Sequence, residues 1–218
     1  MIRDLTDAMQ DYVKVIYKLR LEGKRATTSA IAERMGVRPP SVTAMLKRLS
    51  ALGLAEHAPY RGVELTPAGE RVALEVIRHH RLLELYLAQA LGLSLDEVHS
   101  EADRLEHALS EELEARIDRS LGYPTHDPHG DPIPDAELRI DRARLRTLAS
   151  LEPGDEATIK RVPDGDDELL RYLAKLALVP GKKVKLRAAE PFGGPITVRV
   201  GKAEHAISRE LAGGIGVT

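Results

Sequence analysis

Gly36 and the pair Pro39-Pro40 constrain the fold of this chain more than any other residues. Glycine readily adopts the left-handed conformation that stops a helix, and proline is tolerated in a helix only in its first turn. One helix must therefore end near Gly36 and another begin at Pro39, with only a tight turn between them. The first is capped by Thr28 and runs through Ile31, Ala32 and Met35. The second keeps Val42, Met45, Leu46, Leu49 and Leu52 for the core and ends at Gly53. Ahead of the pair, Thr6-Asp7 caps a helix with Met9, Tyr12, Val13, Ile16 and Tyr17 on one face, ended by Leu21-Glu22-Gly23-Lys24. Behind it, short β runs at 54–57 and 62–65 flank the turn Ala58-Pro-Tyr-Arg61. Three helices and a hairpin in this order predict a winged helix-turn-helix.

Charge indicates what such a unit would meet. Residues 1–65 carry 11 Lys and Arg against 7 Asp and Glu, whereas residues 66–123 carry 6 against 12. A basic first third suits a polyanion, and an acidic middle suits a cation. The predicted DNA contacts are Arg38, Pro40, Ser41, Thr43, Lys47 and Arg48 along the second helix of the motif, with Arg61 at the wing tip. The competing reading is a three-helix bundle whose basic residues are merely solvated. The local positive charge, the polar helix start and the Arg-tipped hairpin together favour DNA.

The middle third reads as helices facing a metal. Thr66-Pro67 starts a long helix through Val72, Val76, Ile77, Leu83 and Tyr86 to Leu91-Gly92, carrying His79, His80 and Glu84. His80 and Glu84 stand one turn apart and could share a cation or only a surface hydrogen bond. Ser94-Leu-Asp-Glu97 is a capping box opening a helix predicted to continue through Leu109, Leu113 and Ile117 to Gly122. On it His99, Asp103, Glu106 and His107 fall within an arc of about 100°, beside an apolar stripe of Ala102, Leu105, Leu109 and Leu113. Two imidazoles and two carboxylates on one face suit a first-row divalent metal, against the alternative of a solvated charged face. The two apolar stripes exceed what one hairpin can cover, so residues 66–122 are expected to form a homodimer interface.

Residues 124–134 are rich in Pro, Asp, His and Gly and predict no regular element; His126 and His129 could serve as ligands there, but the favoured reading is of solvated loop histidines. Residues 135–150 read as a charged linker with some helical tendency. The remainder alternates β runs at 156–162, 182–187 and 195–200, weaker ones at 204–207 and 215–217, and one amphipathic helix at 166–178. That pattern predicts a small SH3-like β-barrel without a nucleophile or acid/base pair. The predicted fold is mainly α with a small β portion: a winged helix-turn-helix at 1–65, a helical metal-binding and dimerisation domain at 66–134, a linker at 135–150 and the barrel at 151–218. The chain has no cysteine, which excludes disulfides and thiol catalysis. No apolar run approaches the ~18 residues of a membrane span and Met1-Ile-Arg-Asp-Leu is no signal peptide, so a cytoplasmic protein is expected.

Residue strings in this order resemble the DtxR/MntR family of metal-dependent transcriptional regulators in its longer three-part form. They are Ile31-Ala-Glu-Arg-Met, Ser41-Val-Thr, Tyr60-Arg-Gly-Val-Glu-Leu-Thr-Pro, His80-Arg-Leu-Leu-Glu84, Glu106-His107 and His129-Gly-Asp-Pro-Ile-Pro134. Leu170-Arg-Tyr-Leu and Leu178-Val-Pro-Gly181 resemble the family's FeoA-like SH3 domain. The resemblance implies two metal sites per subunit. A regulatory site would use Asp11, Asp103, Glu106 and His107. An ancillary site would use His80, Glu84 and His99, with Arg81 beside it for an anion and the stretch Asp166-Asp167-Glu168 as the place from which the barrel would add a ligand. Iron-responsive relatives carry Met where this chain has Asp11 and Cys where it has Asp103. Both positions here offer hard oxygen donors, which favours Mn²⁺, with Fe²⁺ as the alternative. The implied protein is no enzyme but a dimeric, Mn²⁺-activated repressor of metal-uptake genes on palindromic double-stranded operator DNA. Two rivals stand beside it. A metallohydrolase using the same ligands lacks a general base, and a small-ligand-sensing winged-helix regulator would bind DNA whether or not a chelator is present.

Overall fold

The winged motif forms as the glycine and prolines require. The computed structural model describes residues 5–58, 62–141, 144–164 and 166–218. It divides into two compact units, one made of Met1–His79, Glu106–Leu109 and Pro134–Arg139, the other of His80–Leu105, Ser110–Ile133 and Ile140–Thr218.

In the first unit, α1 (Asp7–Leu21) is capped by the Thr6 hydroxyl and buries Met9, Tyr12, Val13, Ile16 and Tyr17. Helix α2 (Thr28–Met35) is capped by Thr27, one residue earlier than the sequence suggests, and ends at Gly36 with φ of +63°. Helix α3 (Pro39–Ala51) begins with both prolines in its first turn and buries Val42 and Leu49. Met45 and Leu46 are half-buried. Leu52, expected in the core, follows the last helical residue as the C-cap and is exposed. Strands β1 (Ala55–Ala58) and β2 (Gly62–Leu65) pair antiparallel from Ala55↔Leu65 to Ala58↔Gly62. The wing tip, Arg61 included, lies outside the described residues. Helix α1 packs on α2, α3 and β2. The Thr66 hydroxyl accepts from Gly69 N–H at 3.1 Å and donates to the Gly53 carbonyl at 2.6 Å, starting α4 (Pro67–Leu91). The helical tendency read into the start of the linker is not realised. The Asp135 carboxylate instead accepts from the N–H groups of Glu137 and Arg139, closing a turn in which Leu138 has φ of +62°.

In the second unit, α5 (Leu95–Leu105) opens with the expected box, Glu97 accepting from both the N–H and the hydroxyl of Ser94. The helix does not run on to Gly122. Residues 106–108 turn, and a separate α6 (Glu111–Ser120) starts at Ser110, whose hydroxyl accepts from Leu113 N–H. Glu111, Glu112 and Glu114 crowd its first turn, where the helix dipole favours negative charge. These local signals outweigh the continuous apolar period on which the single helix was predicted.

The C-terminal part is an antiparallel six-stranded sheet in the order β3-β8-β4-β5-β6-β7, not the five strands expected. Its strands are β3 (Arg146–Thr147), β4 (Glu156–Arg161), β5 (Lys183–Ala189), β6 (Ile196–Val200), β7 (Ala203–Ile207) and β8 (Gly216–Val217), joined by α7 (Asp167–Lys175) and α8 (Arg209–Gly214). The additional strand β3 and the 3-10 turn after it lie in the stretch read as linker, where Leu148 is fully buried in the sheet's core with Ile159, Leu173, Leu178 and Val198. Register shifts near Arg161 and Ala188 bend the sheet in the SH3-like manner. Among the described residues, no helix is long and apolar enough to cross a membrane.

Candidate metal centres and nucleic-acid interface

The helix break after Leu105 decides how the predicted ligands are sorted. In the first unit, Glu106 and His107 lie in the turn after α5 and meet Asp11 of α1. His107 Nε2 stands 3.1 Å from Asp11 Oδ1 and 3.5 Å from Glu106 Oε1. His107 Nδ1 is 2.8 Å from the side-chain amide oxygen Oε1 of Gln10, which can only accept, so in the neutral ring Nδ1 carries the hydrogen and Nε2 is left to face the carboxylates. One donor atom from each of Asp11, Glu106 and His107 fits within 4.8 Å of the others. The Asp11 hydrogen bond, helped by the Glu106 charge and opposed by burial, lifts His107 above the usual imidazole range. Two further residues complete this cluster: Lys14 Nζ lies 2.6 Å from Glu106 Oε1, and His79 Nδ1 lies 3.1 Å from the Glu106 backbone oxygen. Nothing in the apolar pattern of α1 marks Gln10 or Lys14.

In the second unit the centre is Glu84, which is fully buried. Its Oε1 is 3.0 Å from His80 Nε2, 3.1 Å from His99 Nδ1 and 3.6 Å from His129 Nε2. The His80 and His99 rings meet edge to face at 4.9 Å. Asp103, which the resemblance put with Glu106 and His107, is grouped with His80 and His99. Its Oδ1 is 3.3 Å from His80 Nδ1 and its Oδ2 3.7 Å from His99 Nε2. The reason is local: Asp103 stays on α5 one turn from His99, whereas Glu106 and His107 leave the helix.

His129 is the residue that sequence reasoning misplaced. It is fully buried rather than solvated, while His126 is exposed as expected. The Asp127 carboxylate accepts from the N–H groups of His129 and Asp131, and the His129 carbonyl accepts from Val162 N–H. Gly130 has φ of +90° and approaches the Lys160 carbonyl so closely that a Cβ would lie 1.8 Å from its oxygen. Arg81 is likewise buried: it donates to the Pro132 carbonyl and lies 3.4 Å from Asp127 and 3.7 Å from Asp131. Two protein carboxyl groups thus face Arg81 where the resemblance implies an anion. In the barrel stretch, Asp166 spends its carboxylate on the N–H groups of Glu168 and Leu169 as the cap of α7. No described contact brings Asp166, Asp167 or Glu168 to the histidines; the barrel carboxylate whose charge acts on His129 is Asp164.

Glu84 Oε2 and both ring nitrogens of His129 have no hydrogen-bond partner among the described residues. Buried polar atoms left so are costly, and a cation would satisfy Glu84 Oε2 and the His129 ring nitrogen that carries no hydrogen. Burial raises Glu84, but the His80 charge and the three surrounding imidazoles hold it well below the carboxylate range. Burial would lower His129, yet Glu84 and Asp127 lift it above the usual range. Asp127 is pushed up to about 7, by burial first and then by the charges of Glu84 and Asp131.

These directions fix a pH dependence for the metal-free protein. Native Asp127 holds its proton up to about 7, whereas an unfolded carboxyl loses it near 3.9, so stability falls as pH rises through that window. His129 adds to the loss above about 6.5. Glu84 acts in the opposite sense, but only below about 4.3. With EDTA present, the unfolding midpoint is expected to be lower near pH 7.5 than near pH 5.5, and Asp127→Asn should flatten the difference. An equally steep profile in that variant would remove Asp127 as its source.

Of the predicted DNA contacts, Arg38 is the N-cap of α3 and makes no capping bond. Arg38, Pro40, Ser41, Thr43, Lys47 and Arg48 are all exposed, and Thr43 Oγ1 donates to the Pro39 carbonyl. Residues 4–63 match the family model for the iron dependent repressor N-terminal DNA binding domain, residues 66–135 that for the iron dependent repressor metal binding and dimerisation domain, and residues 146–218 the FeoA domain. The chain belongs to the iron-dependent repressor family. It is 33% identical over 228 residues to the iron-dependent repressor IdeR of Mycobacterium tuberculosis, covering 99% of both chains. A solved structure of a manganese-dependent transcriptional repressor in complex with manganese is similar with a TM-score of 0.87 and 38% identity, over 96% of this chain and 98% of that one. The structure of IdeR from T. acidophilum is similar with a TM-score of 0.79 and 32% identity, over 96% of both chains. As a member of this family the protein is a metal-dependent, DNA-binding transcriptional repressor, not an enzyme.

Proposed function

We propose that this repressor is activated by Mn²⁺, with two metal sites per subunit, and that as a cytoplasmic homodimer it binds palindromic operators of metal-uptake genes. The carrying observation is the donor set. Asp11, Glu106 and His107 offer only carboxylate oxygen and imidazole nitrogen, and no cysteine exists to complete a softer site. Fe²⁺ is the competing activator. Residues His80, Glu84, His99 and His129 would hold the second ion, with Asp103 on the same face of α5. Asp103 is half-exposed.

A divalent cation supplies one centre at which oxygen and imidazole donors from separate segments are joined. The chain's own residues turn that into control of DNA binding. Asp11 belongs to α1, and α1 packs on α2, α3 and β2, so holding Asp11 to Glu106 and His107 fixes the helix on which the recognition helix rests. Gln10 orients the His107 ring and His79 steadies the Glu106 carbonyl. Exposed Leu91, Leu105 and Leu113 favour dimerisation through 66–122, which would present two recognition helices to half-sites about one helical turn apart or a multiple of it. Metal and DNA binding are then reciprocally coupled.

The test is binding to the DNA upstream of the chain's own gene, titrated with Mn²⁺ and Fe²⁺ at controlled free concentrations. Activation by Fe²⁺ alone would overturn the manganese reading, and chelator-insensitive binding would overturn metal control. In the same assay Arg38→Ala is expected to cost about 1–3 kcal/mol and relax sequence preference. A uniform loss across sequences would mark Arg38 as a phosphate contact, the role expected of Lys47 and Arg48, whose loss should lower the salt slope.

A further inference from the structure

Lys14 stands three residues after Asp11 on α1, and its ammonium lies 2.6 Å from Glu106 Oε1 with the lysine side chain 10% exposed and the glutamate 0%. The same oxygen faces His107 Nε2 at 3.5 Å. A tethered positive charge thus rests on the carboxylate atom that Asp11, Glu106 and His107 would offer to a cation. We propose that Lys14 is a built-in competitor of the metal, compensating Glu106 in the metal-free protein and raising the free-metal concentration at which the repressor responds.

The inference rests on the reading of Asp11, Glu106 and His107 as a metal site and adds what sets its threshold. Two effects act in the same direction. An incoming divalent ion must take Glu106 Oε1 from an ion pair already formed in a buried place, where charges interact more strongly than in water. It also meets a like charge within one residue's reach. In return, the ammonium spares the metal-free fold a buried, uncompensated carboxylate. Lys14 therefore stabilises the metal-free state and weakens metal binding, trading sensitivity for a folded resting form.

The experiment measures Mn²⁺ binding directly, from the spin-resonance signal of free Mn²⁺, on the full-length protein near pH 7.5. Wild type, Lys14→Met, Lys14→Gln and Glu106→Gln are compared, with thermal unfolding of each in EDTA and in saturating Mn²⁺. Lys14→Met and Lys14→Gln are expected to bind Mn²⁺ at the Glu106-dependent site about tenfold more tightly or better. They should unfold at lower temperature in EDTA and approach wild type in Mn²⁺. If one variant fails to fold without metal, folding on addition of Mn²⁺ supports the proposal, and the other variant supplies the affinity. Glu106-dependent binding of unchanged or weaker affinity in both variants overturns the role of Lys14 alone. Mn²⁺ binding that ignores Glu106→Gln overturns the site and the competitor together.

Discussion

Glu106→Gln is expected to abolish Mn²⁺-dependent operator binding while leaving a folded dimer. Glutamine keeps the shape of the side chain and removes only its charge, so loss of packing cannot account for the effect. The charge is needed because Glu106 is fully buried and its Oε1 faces both His107 Nε2, at 3.5 Å, and Lys14 Nζ, at 2.6 Å. Outer-shell partners of a metal ligand are worth about 10–100-fold in affinity, and a charged ligand itself is worth more, so a loss above about 100-fold is expected. Circular dichroism and sedimentation check the fold and the dimer. Fluorescence anisotropy on operator DNA checks the response. A variant that still responds to Mn²⁺ as wild type does would remove Asp11, Glu106 and His107 as the regulatory site.

Much of this arrangement was legible in residue order because it depends on local rules. Gly36 and Pro39-Pro40 place the ends of α2 and α3 to within a residue, since the conformations they require belong to the backbone itself. The pairing of His80 with Glu84 follows from helical spacing alone. The division between the two clusters was less legible. The apolar period runs on past Leu105, and only Ser110 with the acidic turn after it announces a new helix. That break moves Glu106 and His107 off the face shared by His99 and Asp103, which no periodicity argument could reveal.

His129 shows a different gap. Residues 124–134 have the composition of a solvated loop, yet Asp127 and Gly130 tie the loop to β4 and bury the imidazole. The signal was the order Asp127-Pro-His129-Gly130, an acceptor for backbone N–H groups two residues ahead of the histidine and a residue free to take positive φ just after it. Burial itself depends on Lys160 and Val162, which come some thirty residues later in the chain. The carboxylates beside Arg81 were hidden for a similar reason, because Asp127 and Asp131 reach it only through that fold.

The second large effect is expected at Glu84. Three imidazoles converge on this buried carboxylate, and it lifts His129 above the usual imidazole range, so Glu84→Gln removes the charge that they share. Breaking a buried ion pair by removing one partner costs about 3–5 kcal/mol. For a chain of this size that lowers the unfolding midpoint by about 6–20 °C, at about 2–4 °C per kcal/mol. The metal contribution separates from this cost when both forms are made in the Glu106→Gln background, where the first cluster no longer responds. There, Mn²⁺ at about 1,000 times its dissociation constant should stabilise the protein that retains Glu84 by about 4 kcal/mol and leave the doubly substituted one unmoved. An equal Mn²⁺ shift in both would mean that the buried lone pairs of Glu84 and His129 serve the fold alone, and that the second ion, if bound, is held elsewhere.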